Sequence, residues 1–162
     1  MKALYFTKFG GPEVLEYGEI SDPVIDSDSA LVETSLIGLN FADIYRRRGN
    51  YHIENHTPWI NGYEGIGRVT KLGENANSLK VGDIILFVDV PYANAEFVSV
   101  PTKKAIIVPD SVSDELAISL GLQGLTADFL AHDLAKNSAE NKVLIHGISG
   151  GVGQILTQIL VS

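Results

Sequence analysis

Apolar residues recur along this chain in short runs, and nearly every early run is cut off by glycine or proline. Ala3-Leu4-Tyr5-Phe6 predicts a strand ending at the turn signal Gly10-Gly11-Pro12. Val14-Leu15-Glu16-Tyr17 predicts a second. Ala30 to Ile37 predicts a third, whose partial alternation suits a sheet buried on one face. Ile66 to Leu72 is entered through Gly62, Gly65 and Gly67. Glycine that dense in a strand predicts a bulge, or the close approach of another group. Lys80-Val81-Gly82-Asp83 turns into Ile84 to Val88, and Ala95 to Val100 and Ala105 to Val108 follow. One short helix, near Asn40 to Arg48, interrupts the series. Many short strands between tight turns predict a small barrel or sandwich.

After Pro109 the period changes. Ser113 is placed to cap a helix whose first turn holds Asp114 and Glu115, favourable at a positive helix end. Leu116, Ile118, Leu120, Leu125, Phe129, Leu130 and Leu134 supply apolar faces at helical spacing, with a break expected at Gly121 to Gly124. Asn137 to Asn141 reads as a polar connector. Val143-Leu144-Ile145-His146 then predicts a strand, Gly147 to Gly153 a glycine-rich loop, and Gln154 to Leu160 an apolar helix start. This is the opening strand-loop-helix pattern of a dinucleotide-binding domain. Glycines let backbone N–H groups approach a pyrophosphate, and the helix N-terminus favours its charge. The candidate cofactor-binding residues here are Gly147, Ser149, Gly150, Gly151, Val152 and Gly153. The sequence ends at Ser162, before the rest of such a domain. We therefore expect weak cofactor binding by this polypeptide alone. Lys142 to Val161 is expected to be loosely held or buried against a partner chain.

Composition narrows the chemistry. With 162 residues, 45% hydrophobic and 20% charged, the chain is of ordinary globular make-up. Its formal net charge of −8 disfavours nucleic acid and anionic membrane as partners. Arg46-Arg47-Arg48 reads as a solvated helix face or as cations near phosphate. There is no cysteine, so disulfides, thiolate catalysis and cysteine-ligated zinc are excluded. His52, His56, His132 and His146 lack ligand spacing, and no metal site is expected. The chain has neither a signal peptide nor a membrane-length apolar run, so a cytoplasmic protein is expected.

Six strings in order carry a family resemblance: Gly10-Gly11-Pro12-Glu13-Val14-Leu15, Ile37 to Tyr45, Gly62 to Val69, Val81-Gly82-Asp83, Gly124-Leu125-Thr126-Ala127, and Ser149 to Gly153 with Gln158. Together they resemble the zinc-free quinone oxidoreductase branch of the medium-chain dehydrogenase/reductase superfamily, which is alcohol dehydrogenase-like. The resemblance implies a mainly β fold with some α. Residues 1–120 would form a GroES-like catalytic barrel, 121–141 a linking helix and connector, and 142–162 the start of a truncated Rossmann domain. Zinc-dependent members carry Gly-His-Glu where this chain has Gly62-Tyr63-Glu64. Tyr63 is a poor ligand, and the cysteine ligands are missing.

The resemblance further implies NADP(H), hydride transfer, and a quinone or α,β-unsaturated carbonyl as substrate. NAD against NADP is not legible, because the discriminating residue lies ~20 positions past the glycines. By the same resemblance, Asn40 and Tyr45 line the nicotinamide and substrate pocket, and Tyr45 is placed to donate a hydrogen bond to the acceptor oxygen. The alternatives are that Tyr45 is a packed aromatic and that Asn40 and Asp43 cap the helix. Tyr51 and Asp43 are further pocket candidates. Thr126 either bonds the cofactor carboxamide or its own helix backbone. Glu64 reads as a structural hydrogen-bonding group and Trp59 as packing. Two functions stand: the N-terminal part of an NADPH-dependent oxidoreductase, or a catalytically silent GroES-like module without bound cofactor. A homodimer stays open.

Overall fold

The computed structural model describes residues 1–135, 138 and 140–161. They fall into two compact units, Met1–Ile118 and Ser119–Ser162.

The first unit is built from antiparallel strands. β1 (Lys2–Phe6) lies between β2 (Glu16–Glu19) and β4 (Trp59–Ile60) in a three-stranded sheet. The larger sheet runs β7 (Phe97–Pro101), β3 (Ser29–Ile37), β5 (Glu64–Leu72), β6 (Ile84–Val88), β8 (Ala105–Ile107). Helix α1 (Phe41–Arg47) follows β3. Alternation fixes which face is inward: Val98 and Val100 of β7 are buried and their neighbours less so. They pack with Ala30, Val32, Ile85 and Phe87 in the main apolar core.

The glycines of β5 act as their spacing predicts. The β3–β5 register slips between Thr34 and Leu36, leaving Ser35 as the extra residue of a bulge. Ser35 Oγ donates to the Ile66 carbonyl at 3.1 Å. Opposite the bulge, a Cβ on Gly67 would stand 2.1 Å from the Glu33 carbonyl oxygen. Gly82 is a different case: its φ of +100° needs glycine although nothing lies within 4 Å of a Cβ there. Gly82→Ala is therefore expected to cost only about 1 kcal/mol, read from the urea midpoint.

The second strand begins at Glu16 rather than Val14. Pro12 opens a short 3₁₀ turn (Pro12–Val14), because its fixed φ suits the first turn of a helix. β4 was not expected; two residues are too few to leave a periodic signal. α2 (Asp114–Leu120) starts behind Ser113, whose Oγ accepts the Leu116 N–H at 3.2 Å.

In the second unit, α3 (Leu122–Asp128) begins after a break at Gly121, and a π-helical turn spans Phe129–Leu134. The predicted connector lies partly outside the described residues. The expected strand at Val143 to His146 is not formed. A strand is held by ladder bonds to a neighbour, and the described residues offer that run none. α4 (Gly151–Val161) contains the predicted helix.

Candidate functional site

The site grows from the junction of β3 and α1. Asn40 sits at the helix N-cap, and its backbone N–H donates to Asp43 Oδ2 at 2.9 Å. Asp43 is buried. Burial lifts its carboxyl above the usual aspartate range, against the pull of the Asn40 bond. The Asn40 amide turns the other way, and its Nδ2 donates to Glu64 Oε1 at 2.7 Å. That bond fixes which end of the amide faces Glu64. Glu64 is buried at the head of β5 and reaches Asn40 across Gly38. A Cβ on Gly38 would lie 2.2 Å from Glu64 Oε1, so glycine at 38 admits the carboxylate.

α1 is packed in an unusual sense. Phe41 and Tyr45, four residues apart, are exposed with ring centroids 6.3 Å apart, while Asp43, Arg46 and Arg47 are buried. Arg46 and Arg47 are thus not a solvated face, and of the run only Arg48 is exposed. Arg47 Nε donates to the Gly10 carbonyl at 3.3 Å. Arg46, 1% exposed, donates to the His52 carbonyl at 2.9 Å and to both Glu54 oxygens at 2.9 and 2.6 Å. It also donates to Tyr63 Oη at 3.3 Å, and its guanidinium lies 5.8 and 5.6 Å from the ring centres of Tyr63 and Tyr92. Burial alone would depress the Arg46 pKa, but the Glu54 and Tyr63 bonds more than offset it and raise it. Burial raises both the Tyr63 and the Tyr92 phenol.

This cluster holds the loop at 49–58, which carries Tyr51. The Tyr51 ring meets Tyr63 edge-on at 5.6 Å and stays partly exposed. Trp59 packs, as expected, stacked on Phe9 at 4.9 Å. Sequence reading missed the Arg46 cluster. Its one signal was a helix whose hydrophobic face and core face could not coincide, since Tyr45 and Arg46–Arg47 are consecutive.

The structure joins Asn40, Asp43 and Glu64 directly and sets Tyr45 and Tyr51 on the surface of the same unit. Thr126, in α3, donates to the Leu122 carbonyl at 2.6 Å. In the second unit Gly147 adopts a positive φ of 71°, and its carbonyl accepts the Gly150 N–H at 2.9 Å. A Cβ on Gly153 would lie 2.4 Å from the Gly147 carbonyl oxygen, and one on Gly151 1.5 Å from Gln123 Oε1. Ser149 and Val152 belong to the same turn and helix start; the Ser149 carbonyl accepts Gln154 Nε2 at 2.8 Å. The glycines thus let the turn fold tightly onto the first turn of α4, leaving main-chain N–H groups at the helix start. Among the described residues, no three His, Cys, Asp or Glu side chains cluster for a metal, and no helix is long and apolar enough to cross a membrane.

Two antiparallel sheets with a capped helix at the β3 end define a GroES-like domain of the dehydrogenase type. Residues 26–110 match the alcohol dehydrogenase GroES-like domain, and the chain belongs to that family, in the quinone oxidoreductase branch of the medium-chain dehydrogenase/reductase superfamily. It is 33% identical over 158 residues to a quinone oxidoreductase of Pseudomonas aeruginosa, covering 97% of this chain and 48% of that protein. The Escherichia coli quinone oxidoreductase complexed with NADPH superposes with a TM-score of 0.93 at 32% identity, over 98% of this chain and 49% of that one. Human synaptic vesicle membrane protein VAT-1 homolog-like protein also gives 0.93, at 29% identity, over 98% of this chain and 52% of the other. The chain spans about half the length of the curated relatives it matches.

Proposed function

We propose that this chain is the N-terminal part of an NADPH-dependent oxidoreductase that reduces quinones or α,β-unsaturated carbonyls without zinc. The observation carrying this reading is the Asn40–Glu64 bond beside Asp43, at the head of the helix that exposes Tyr45. A buried carboxylate locks a neutral amide, and a free phenol stands one helical turn on. Such a site is suited to orienting a neutral acceptor and stabilising its developing oxygen charge by hydrogen bonding. NADPH, when bound, supplies the hydride. The N–H groups of Gly151 to Gly153, at the start of α4, are suited to a diphosphate, and the amide of Asn40 to a polar group of substrate or cofactor.

Zinc is disfavoured by the residues themselves. Tyr63 Oη is engaged by the Arg46 guanidinium, a fixed cation that would repel a metal ion at that oxygen. A conjugated acceptor spreads its charge, so Tyr45 need supply only part of the stabilisation. In the longer protein, Tyr45→Phe is expected to lower kcat about tenfold with little change in KM. The assay is NADPH consumption with a naphthoquinone, and an unchanged kcat would remove Tyr45 from the chemistry.

A second reading, a silent GroES-like module, draws support from the unformed strand at 143–146. On that reading the 162-residue chain binds NADPH without saturation below about 1 mM by calorimetry. Low-micromolar binding would overturn it.

A further inference from the structure

One cavity in the first unit lies away from Asn40, Tyr45 and Tyr51. It encloses about 560 Å³ between β7 and the segments around 20–26, 56–60 and 90–92. That is within the range of small-molecule sites, roughly 300–1,000 Å³. Four of the chain's six prolines line it: Pro23, Pro58, Pro91 and Pro101. With Phe97 and Tyr92 they form walls of stiff rings, so the cavity is largely preformed and costs little ordering on binding.

One wall is built at a conformational cost. Asp89 and Tyr92 have φ of 55° and 69°, and among the described residues they are the non-glycine residues with positive φ. For a tyrosine this conformation is unfavourable and persists only where the surroundings impose it. Lys104, itself a lining residue, does so from the side: its Nζ donates to the Asp89 carbonyl, and to Asp89 Oδ2 at 2.6 Å. The strained turn delivers Tyr92 Oη to the cavity wall, 3.4 Å from His56 Nε2. Tyr92 Oη also bonds the Glu54 carboxylate, so the exposed His56 ring supplies the pair's remaining donor or acceptor.

Charge on the walls selects the ligand further. The Lys104 cation is answered by Asp89, and the Met1 amino group by Asp22 at 2.8 Å. Asp26 adds a carboxylate at the exposed rim. An anion would find both lining cations already paired and the Asp26 carboxylate at the rim. A cation would exchange its hydration for mostly apolar walls and one solvated aspartate.

We propose that this cavity is a second small-molecule site, taking an uncharged ring compound that carries a hydroxyl or carbonyl oxygen for the Tyr92–His56 pair. The proposal does not rest on the oxidoreductase reading.

The test is nuclear magnetic resonance titration of the 162-residue chain with 2-naphthol, 2-naphthoate and 2-naphthylmethylamine. Saturable shifts from 2-naphthol at Thr57, Val90, Tyr92 and Ser99 are expected, with both charged analogues at least about tenfold weaker. Tyr92→Phe should weaken 2-naphthol several-fold. Ser99→Phe, which fills the cavity, should abolish binding. Should Ser99→Phe fail to fold, the Tyr92→Phe affinity and the shift map decide. Shifts that centre on Tyr45 and Tyr51, an absence of saturation, or equal affinity for a charged analogue would each overturn the proposal.

Discussion

Gly67→Ala is expected to cost about 3 kcal/mol or more, a large share of the stability of a domain this size. The new methyl would meet the Glu33 carbonyl oxygen at 2.1 Å. Both atoms belong to central strands of the larger sheet, with β5 held between β3 and β6. Relief therefore requires shifting a ladder rather than a side chain. The urea midpoint should fall with little change in slope, since the folded state buries the same surface. A fall of less than about 1 kcal/mol would mean that the Ser35 bulge absorbs the methyl, and that the β3–β5 pairing is softer than its geometry indicates.

Glu54→Ala is the second large effect, at about 2–4 kcal/mol. It leaves the Arg46 guanidinium buried without its carboxylate. The figure lies below that of a fully enclosed pair because Glu54 keeps some contact with solvent. Arg46→Met with Glu54→Gln should recover much of the loss, because the uncompensated charge is gone. The pair also fixes a pH dependence. Burial alone would raise the Glu54 pKa, but the Arg46 hydrogen bonds outweigh it and leave it below the ordinary glutamate value. A depressed carboxyl lends stability that is complete above its unfolded pKa and is lost as pH falls through the folded one. The acid limb of a stability-versus-pH curve should therefore be shallower in Glu54→Gln. An unchanged limb would assign acid sensitivity to other groups.

Much of the β architecture was legible because it is written locally. Gly10-Gly11-Pro12, Gly82 and the apolar runs between them mark turns and strands within a few residues of sequence. The glycine-dense entry to β5 announced a bulge or a close approach, and Gly67 meets the β3 backbone closely opposite the Ser35 bulge. The capping pair Asn40–Asp43 was legible for the same reason, three residues apart at a helix start.

What escaped depends on distance. Arg46 is explained by Glu54, Tyr63 and Tyr92, which converge only after β4, β5 and the 89–92 turn are in place. A run of three arginines carries no mark of which one will be enclosed. The error at Val143 to His146 has another origin. Its apolar content was read correctly, but strand formation is a property of two segments, and the partner is not among the described residues.

The contact between Gly38 and Glu64 bears on how such chains diverge. Any side chain at position 38 collides with the carboxylate, and any shortening at 64 removes the tether on Asn40. Neither site can drift alone without loss. Viable lineages should change the two together, or first shorten residue 64 and re-anchor Asn40 from elsewhere. A mutational library covering both positions should return survivors along a narrow diagonal of paired residues.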